Sequence, residues 1–367
     1  MTPSNTKILL VGSIPPPYHG QAVITEILFR SFTDSPSIEK LNLSFSPSIE
    51  SIGTLGLKKL WVLFKAIFHF ISFRLRNLSS NTVLYYCAGS ANWVPLIKDC
   101  ILLGLFGRLF NKVAVHYHSG GLPEWFEQSK IAGFFGKLTY GRVNKAIALT
   151  SHVKVPCYKN TELYIVPNGL NVDRKVSAEH SSQIEFLFLG ALRESKGIGT
   201  LCKALKILKE TSDDNLWKVN LVGEWVSLEE EHQWINFIKE NKLEDQIYLK
   251  GRLTGLKKWE IYKRSDVFVF PSFYESENQP LVIIEAMGMG LPIIASNWRG
   301  IPELLEEGKT GYLIPPQDAN ELANIMQQLI SNPEKLEEMS VLAKKSYDQN
   351  FTESCFIERI TQCITVW

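Results

Sequence analysis

The 367-residue chain lacks an excess of charge of either sign, because 39 Lys and Arg side chains nearly balance 38 Asp and Glu. A net charge of +1 does not resemble the strongly basic surface of a nucleic-acid-binding domain. The six cysteines are scattered and form no C-x-x-C pair. That pattern disfavours a zinc site or a disulfide framework and favours a reducing compartment. We therefore expect no nucleic-acid partner and a cytoplasmic location.

Long apolar runs are also missing, since no stretch reaches the roughly 18 apolar residues that a membrane-spanning helix needs. The first residues, MTPSNTKILLVGS, lack the layout of a signal peptide. One segment, LGLKKLWVLFKAIFHFISFRLRNL at 55–78, combines aromatic residues with basic flanks. It suits a helix lying at a membrane surface, and it equally suits a helix packed on its own domain. Peripheral membrane contact through 55–76 and internal packing both remain open.

Three phosphate- or metal-binding patterns are absent from the sequence: the Walker loop GxxxxGK[ST], the dinucleotide fingerprint GxGxxG and the acidic motif D-x-D. What the sequence does contain is a regular alternation of short apolar runs and longer helical segments. Such alternation predicts an α/β fold with parallel, doubly wound sheets. Strands are expected at 7–13, 82–88, 112–118, 146–151, 185–191, 218–224, 247–251, 267–272, 292–296 and 311–316. Helices are expected at 21–32, 56–76, 93–110, 130–142, 197–210, 228–241, 256–264, 280–290, 300–307 and 318–331, and again after 333.

The length and the repeated pattern predict two domains. The expected N-terminal domain covers 1–166, a polar linker with an Asn168–Gly169 turn covers 167–183, and the C-terminal domain covers 184–349. A last amphipathic helix at about 350–367 is expected to pack back onto the N-terminal domain. Ligands of such folds bind outside the carboxyl ends of the strands, so we expect a site in a cleft between the domains.

Two glutamates mark the first candidate site, in FPSFYESENQPLVIIEAMGMG. Glu277 lies in a polar loop after a strand, and Glu285 lies inside the helix that Pro280 begins. Helical side chains lean towards the helix N-terminus, so both carboxylates can reach one ligand above that end. Carboxylates accept hydrogen bonds from vicinal hydroxyls, which a ribose or a sugar ring offers.

Three further motifs follow strands. In FLGALRESKGIGT a strand ends at the Gly190 turn, and Arg193 and Lys196 flank a helix start where phosphate could bind. In GSIPPPYHGQAV a proline-rich loop leads to Gly20, which permits close backbone approach. In VHYHSGG His116 and His118 point to one face if the strand persists. A hydrogen-bonding histidine is favoured over a metal ligand there, and a structural role for His116 stays open.

In this order, the motifs resemble those of the retaining glycosyltransferases of family 4 (glycosyl transferases group 1) in the GT-B superfamily. The most specific part is E-x7-E from Glu277 to Glu285, and SNWRGIPELLEEGKTGYLIPPQD is similar to another stretch of the family. The chain departs from the usual pattern at Asn278–Gln279, where Gly-Phe is common, at Arg299, where glycine is common, and at Ala191, where arginine is common. The resemblance implies two Rossmann-like doubly wound domains facing each other across a cleft.

The resemblance also implies an activity: transfer of a sugar from a nucleotide-diphosphate sugar, UDP favoured and GDP possible, to a glycan or lipid-linked acceptor with retention. It implies bacterial surface polysaccharide synthesis and no cofactor or metal. Glu277, His118 and Lys196 would be catalytic. The donor-binding residues would be Arg193, Lys196, Glu285, Asn278, Gln279, Pro280, Leu281, Gly190 and Gly20. His19, His116 and Ser119 would lie on the acceptor side.

Two other functions stay open on the sequence. A sugar-nucleotide epimerase would keep the fold and the donor site while changing the reaction. A non-catalytic nucleotide-sugar-binding subunit would keep the fold alone, and the departure at Ala191 leaves room for it. A pyridoxal-phosphate phosphorylase has little support, because such enzymes are far longer.

Overall fold

The structure is a computed structural model that describes residues 6–44, 57–177, 182–213 and 216–367. Three predicted features extend outside these ranges: the first residues at 1–5, the start of the segment 55–76 at 55–56, and part of the linker at 178–181. The chain divides into two compact units. The first unit is Met1–Leu170 with Glu353–Trp367, and the second is Asn171–Thr352.

The first unit is an α/β domain built on one parallel sheet. Its strands are β1 (Thr6–Gly12), β2 (Ile38–Asn42), β3 (Asn81–Cys87), β4 (Lys112–Tyr117), β5 (Lys145–Ala148) and β6 (Glu162–Ile165). Its helices are α1 (Gly20–Ser31), α2 (Leu57–Arg76), α3 (Trp93–Asp99), α4 (Leu122–Gln128), α5 (Lys130–Tyr140) and α12 (Glu353–Thr365). The strand order is β2-β1-β3-β4-β5-β6, which is the flavodoxin-like order with one strand added.

The central strands β1, β3, β4 and β5 are continuous apolar runs because helices cover both faces of the sheet. The two edge strands β2 and β6 were not predicted. Their sequences, IEKLN and ELYI, are half-exposed or exposed in the fold. Since an edge strand is less covered, it needs no apolar run, and hydrophobic pattern alone does not reveal it.

The predicted helix 93–110 is not one α-helix. It continues from α3 into a π-helical stretch at Cys100–Leu105 and a 3-10 turn at Phe106–Leu109. Gly104 and Gly107 lie in these irregular turns, where their low helix propensity fits the loss of regular geometry. The short helix α4, which begins with Leu122–Pro123, was also not predicted.

The second unit repeats the architecture with a different strand order. Its strands are β7 (Ile184–Leu189), β8 (Trp217–Val222), β9 (Ile247–Gly251), β10 (Val267–Phe270), β11 (Ile293–Ser296) and β12 (Gly311–Ile314). Its helices are α6 (Ile198–Thr211), α7 (Leu228–Glu240), α8 (Gly255–Arg264), α9 (Leu281–Met289), α10 (Ala319–Ile330) and α11 (Pro333–Asn350). All strand pairs are parallel, in the order β12-β11-β10-β7-β8-β9.

This order is that of the classical dinucleotide-binding fold, in which the strand order reverses between the first and fourth strands. Here those strands are β7 and β10. The predicted helix 300–307 is reduced to a 3-10 turn at Ile301–Leu304, because Leu305 is already extended, with φ −119° and ψ 144°. The other predicted helices of this unit form within a few residues of their expected bounds.

The last helix, α12, belongs to the first unit although 182 residues of the second unit precede it. Phe356, Ile360 and Ile364 are fully buried. The ammonium of Lys145, at the start of β5, donates to the carbonyl oxygen of Cys363 at 3.1 Å and to that of Val366. A cation that binds the free carbonyls at a helix C-terminus also interacts favourably with the negative end of the helix dipole.

Candidate functional site

The candidate site of the second unit lies where the strand order of its sheet reverses, at the carboxyl ends of β7 and β10. The loop after β7 carries Arg193 and Lys196, and the loop after β10 carries Glu277. These loops touch each other, because the backbone N–H of Phe273 donates to the carbonyl of Ser195 at 2.9 Å. Gly197 permits this approach: its φ is +86°, and a Cβ there would lie 2.1 Å from the carbonyl oxygen of Pro271.

Glu277 is buried, with 8% of its surface exposed. Its Oε2 accepts hydrogen bonds from Lys196 Nζ and from the hydroxyl of Ser272, the latter at 2.9 Å. The structure therefore brings together the carboxylate and the cation that the sequence placed 81 residues apart. Ser272, which orients the carboxylate, was not among the predicted site residues.

Tyr274 is a shared platform for both predicted cations. Lys196 Nζ lies 4.6 Å from its ring centroid, and the Arg193 guanidinium lies 5.4 Å from the same centroid. The backbone of Tyr274 is itself held, because Trp298 Nε1 donates to its carbonyl at 2.9 Å. Cation–π contacts of this kind hold two positive groups side by side without neutralising them. Arg193 thus reaches the site from two residues beyond Ala191.

Glu285 lies in α9 and is also buried. Its two oxygens accept hydrogen bonds from α8, one from Lys258 Nζ at 2.7 Å and one from the Tyr262 hydroxyl at 3.0 Å. Burial, and then the charge of Glu285, raises the pKa of Tyr262 well above its ordinary value, so the phenol remains a donor. An ionised carboxylate has about four acceptor positions, so both oxygens can still accept from a ligand.

Lys258 and Tyr262 were not predicted as site residues. Their spacing of four residues puts them on one face of α8, and this spacing was the one sequence feature that could have indicated a shared role. Which carboxylate that face meets depends on how α8 packs on α9, and local sequence carries no information about that packing.

The residues between the two glutamates form the turn into α9. Asn278, Gln279 and Pro280 are buried, and Leu281 begins the helix. Pro280 occupies the N-cap position, and its side chain forms no capping hydrogen bond. Gly190 follows β7 and donates its N–H to Val222 at 3.0 Å.

Arg299 departs from the glycine common in the family and adopts φ +52°, a left-handed conformation that favours glycine. A glycine, which the resemblance gives as common at this position, would adopt this conformation without strain. Here the guanidinium stacks near the Trp298 ring, at 5.7 Å from its centroid.

The remaining predicted residues lie in the first unit, after β1 and β4. His19 is the N-cap of α1, and its Nδ1 accepts from the N–H of Ala22 at 3.4 Å. Gly20 is the exposed first residue of that helix. Burial lowers the pKa of His19. A neutral ring is required for this capping bond, because a protonated imidazole has no acceptor nitrogen.

His116 and His118 do lie on one side of the β4 end, with ring centroids 4.0 Å apart. His116 is fully buried and hydrogen-bonded through Nδ1 to the Tyr85 hydroxyl at 2.5 Å, so its ring belongs to the core. His118 is half-buried, and Ser119 follows it. Burial, and then the charge of His19, lowers the pKa of His118 to about 3. His118 is therefore a neutral hydrogen-bonding group at physiological pH.

Chemically, the second-unit site offers the cations of Lys196 and Arg193 beside the carboxylate of Glu277, and the carboxylate of Glu285 lies in the helix that follows the same loop. This set suits a ligand with a negative group joined to hydroxyls. Across the described part of the chain, His, Cys, Asp and Glu side chains nowhere gather in groups of three or more that could hold a metal ion.

Comparisons with known proteins identify the family. A family model for glycosyl transferases group 1 matches residues 171–346. The spore coat protein SA of Bacillus subtilis is 31% identical over 287 residues, which cover 73% of this chain and 74% of that protein. The amylovoran biosynthesis glycosyltransferase AmsK of Erwinia amylovora is 28% identical over 212 residues, 56% of this chain and 49% of its own. The chain belongs to the glycosyl transferases group 1 family.

Apart from the Bacillus protein, the chain spans about half the length, or less, of the first curated relatives that it matches. Solved structures cover it almost completely. Sucrose-phosphate synthase from Thermosynechococcus elongatus has a TM-score of 0.72 at 19% identity, over 97% of this chain and 98% of that one. Anabaena HepE in complex with UDP and glucose has a TM-score of 0.71 at 16% identity, over 98% and 100%. These likenesses show the fold, which is GT-B with two Rossmann-like domains.

Proposed function

We propose that this chain is a retaining glycosyltransferase of family 4 that moves a sugar from a nucleotide-diphosphate sugar to a hydroxyl of a glycan or lipid-linked acceptor. The observation that carries the proposal is the pairing of Lys196 with Glu277 at the point where the strand order of the second sheet reverses. A diphosphate and the sugar attached to it would need a cation and a carboxylate side by side there.

The donor would bind through hydroxyls and phosphates. Glu285 would accept from the ribose hydroxyls, and Glu277 from the sugar hydroxyls near the reacting carbon. Lys196 and Arg193, with the N-termini of α6 and α9, would hold the diphosphate. A uridine carrier is favoured, and solved structures of Anabaena HepE with UDP and with UDP-glucose support that preference through a shared fold.

The chemistry would be electrostatic. As the bond between the sugar carbon and the diphosphate oxygen lengthens, negative charge grows on the leaving oxygens and positive charge grows on the sugar. Preorganised cations at the diphosphate stabilise that state more than the ground state. Lys196 and Arg193 would supply the charge that a divalent metal supplies in enzymes with a D-x-D motif. We propose front-face substitution, in which the acceptor hydroxyl attacks from the side of the leaving group.

The acceptor side would be formed by the first unit. His118, half-buried and neutral, would be catalytic and hydrogen-bond the acceptor, and His19 and Ser119 would border it. We infer an acceptor in bacterial surface polysaccharide synthesis, because AmsK, a relative, is named for amylovoran biosynthesis.

Peripheral membrane contact through 55–76 is part of the proposal. Within the described residues, none of the helices has both the length and the hydrophobicity to cross a membrane. The outer side of α2 is nevertheless apolar: Leu60, Trp61, Phe64, Phe68 and Leu75 are each exposed by 58–68%. Neutralising Lys59, Lys65 and Arg74 should weaken flotation with anionic liposomes, and unchanged flotation would remove their electrostatic role.

Turnover of two variants tests the activity. Glu277→Gln and Lys196→Ala should each lower kcat by about 10²–10³-fold with a UDP-sugar and a hydroxyl acceptor, the loss typical of a removed transition-state contact. Glu275→Gln and Lys206→Ala remove the same charges from exposed neighbours, and they should retain activity. Near wild-type turnover in both site variants would contradict the site assignment.

A further inference from the structure

A cavity of about 110 Å³ lies in the first unit, away from the residues discussed above. Its lining includes Arg108, Asn111, Thr139, Arg142 and Asn144. Asn111 directly precedes β4, and Asn144 directly precedes β5. The cavity therefore opens at the amino edge of the sheet, whereas His19 and His118 follow the carboxyl ends of β1 and β4. This site is distinct from the proposed acceptor side.

The amide and guanidinium groups in this lining can donate hydrogen bonds, whereas the Thr139 hydroxyl already donates to the carbonyl of Phe135 at 2.8 Å. The side-chain oxygen of Asn111 already accepts from the N–H and the hydroxyl of Thr82, at 3.0 and 2.9 Å. That of Asn144 accepts from the N–H of Val113 at 2.9 Å. Each amide thus has its NH₂ group left to donate. With two guanidinium groups and no carboxylate in the lining, the cavity suits an anion with several oxygen atoms.

The two arginines are not neutralised by the protein. Within the residues that the structure describes, Arg108 donates through Nε to the carbonyl of Gly104 at 3.0 Å, and Arg142 forms no ion pair. Arg76 of α2 differs, because it pairs with Glu39 at 2.9 Å. Both side chains are exposed, so their guanidinium groups keep their charge and can bind an anion from solution or from a surface.

Charge is divided unequally along this near-neutral chain. Residues 51–161 contain 14 Lys and Arg against three Asp and Glu, and the rest of the chain contains 25 against 35. One of the three acids, Asp99, is fully buried and bonded to Lys98, Tyr86 and Tyr140. The segment that builds the cavity is therefore the basic part of a protein whose overall charge is close to zero, which favours an anionic partner surface.

Exposed apolar side chains lie close to the lining residues in the sequence. Leu105 and Leu109 flank Arg108, and Phe134, Phe135 and Leu138 extend along α5 towards Arg142; all five are exposed, by 37–62%. The stretch 100–105 packs on α5 and on 106–109, which in turn packs on α2. α2, whose outer side is apolar, is thus linked to these elements through 106–109. A soluble anion would not need exposed apolar side chains near its binding site. A lipid would use the cavity for its headgroup and the apolar side chains for its apolar part.

We propose that this cavity binds the phosphate of an anionic phospholipid headgroup while these exposed apolar side chains enter the bilayer surface. The inference deepens the proposed membrane contact: it adds a defined headgroup site to α2 and names the partner as a bilayer containing anionic phospholipid. It does not depend on glycosyl transfer, since no residue of the donor site takes part.

Vesicle partitioning of the full chain tests this site. The probes are phosphatidylcholine vesicles with and without 30% phosphatidylglycerol, and the variants are Arg142→Gln and Arg108→Gln/Arg142→Gln. A basic residue near an anionic bilayer contributes about fivefold to partitioning. We expect the single variant to lose about fivefold and the double variant about 25-fold on phosphatidylglycerol vesicles, with no change on phosphatidylcholine alone. Lys154→Gln removes one exposed charge from the same unit and should lose less than twofold.

Equal losses in Arg142→Gln and Lys154→Gln would overturn the headgroup site, because only diffuse charge would then matter. A second measurement tests a soluble ligand. If inorganic phosphate or glycerol phosphate at micromolar concentration raises Tm in the wild type and not in the double variant, while vesicle partitioning is equal, the cavity serves a soluble phosphate and the proposal is wrong. The Tm without ligand and the Tm increase with UDP should match wild type, which separates this proposal from the donor site.

Discussion

At the residue scale, the two glutamates of E-x7-E differ in their surroundings. Glu277 is held by a lysine and a serine from loops at the sheet edge, whereas Glu285 is held by Lys258 and Tyr262 from another helix. Both carboxylates are therefore preoriented before a ligand binds. Preorientation reduces the entropy that a donor would lose on binding, so the supporting residues should matter for affinity as well as for stability.

Lys258→Met should show both effects. The substitution leaves the buried carboxylate of Glu285 with Tyr262 as its remaining described partner, which should lower the free energy of unfolding by about 1–3 kcal/mol. It should also raise KM for the nucleotide sugar with a smaller change in kcat. Urea unfolding and initial-rate kinetics measure these quantities. Lys257→Met, at the neighbouring exposed position, is the control, and equal stability of the two variants would contradict the role of Lys258.

His118 contributes to the pH dependence of stability, as do His116 and His19, whose pKa values burial also lowers. The pKa of His118 is about 3 in the folded protein, below the ordinary 6.5, so between these values the unfolded chain binds a proton that the folded chain does not. The free energy of unfolding should therefore fall as pH decreases below 6.5, by up to about 1.4 kcal/mol per pH unit for this group. His118→Gln should reduce the slope of urea midpoints between pH 7 and 4.5. His232→Gln, on an exposed site of α7, should leave the slope unchanged.

At the element scale, α12 completes the first unit from the far end of the chain. Its buried side chains, Phe356, Ile360 and Ile364, pack in that unit, and Lys145 binds the carbonyls of its last turn. Full burial of such side chains contributes about 1.5–3 kcal/mol each. The helix is thus a structural part of the first unit and more than a terminal extension.

Lys145→Met should detach the end of α12 without removing the helix. Loss of two charge-assisted hydrogen bonds should lower the stability of the first unit by about 2–4 kcal/mol, and amide hydrogens of 361–367 should exchange faster. Lys145→Arg should restore part of the stability, because guanidinium also donates to carbonyls. Protection of 361–367 as in wild type would show that packing alone holds the helix. Lys130→Met, exposed on α5, is the control.

At the scale of the whole molecule, the two units share one architecture with different strand orders. Each order has its own reversal point, between β1 and β3 in the first unit and between β7 and β10 in the second. The donor-side residues follow β7 and β10, and the predicted residues of the first unit follow β1 and β4. The general rule that ligands bind at such points accounts for the donor-side residues and for His19 and Gly20 after β1, whereas His116, His118 and Ser119 lie at the end of β4, one strand beyond the reversal.

Two compact units of similar size predict two thermal transitions. Because the proposed donor site is contained in Asn171–Thr352, UDP should raise the Tm of one transition more than the other, in proportion to affinity. Differential scanning calorimetry with and without UDP measures this. Glu285→Gln should reduce the Tm increase that UDP causes. Lys145→Met should lower the Tm of the other transition, which assigns that transition to the first unit without truncating the chain. Equal Tm shifts of both transitions would contradict the proposal that UDP binds to the second unit alone.

Sequence alone determined the fold class, the central strands and most helices, because buried parallel strands and amphipathic helices leave periodic patterns in the chain. It also located both glutamates, Lys196 and Arg193, since they follow recognisable strands. Tertiary structure decided what periodicity does not encode: the edge strands, the change to π-helical and 3-10 geometry after α3, the burial of His116 beside Tyr85, and the partners Lys258, Tyr262 and Tyr274. Each of these depends on contacts between segments far apart in the chain, where packing and desolvation, rather than local pattern, select the neighbours.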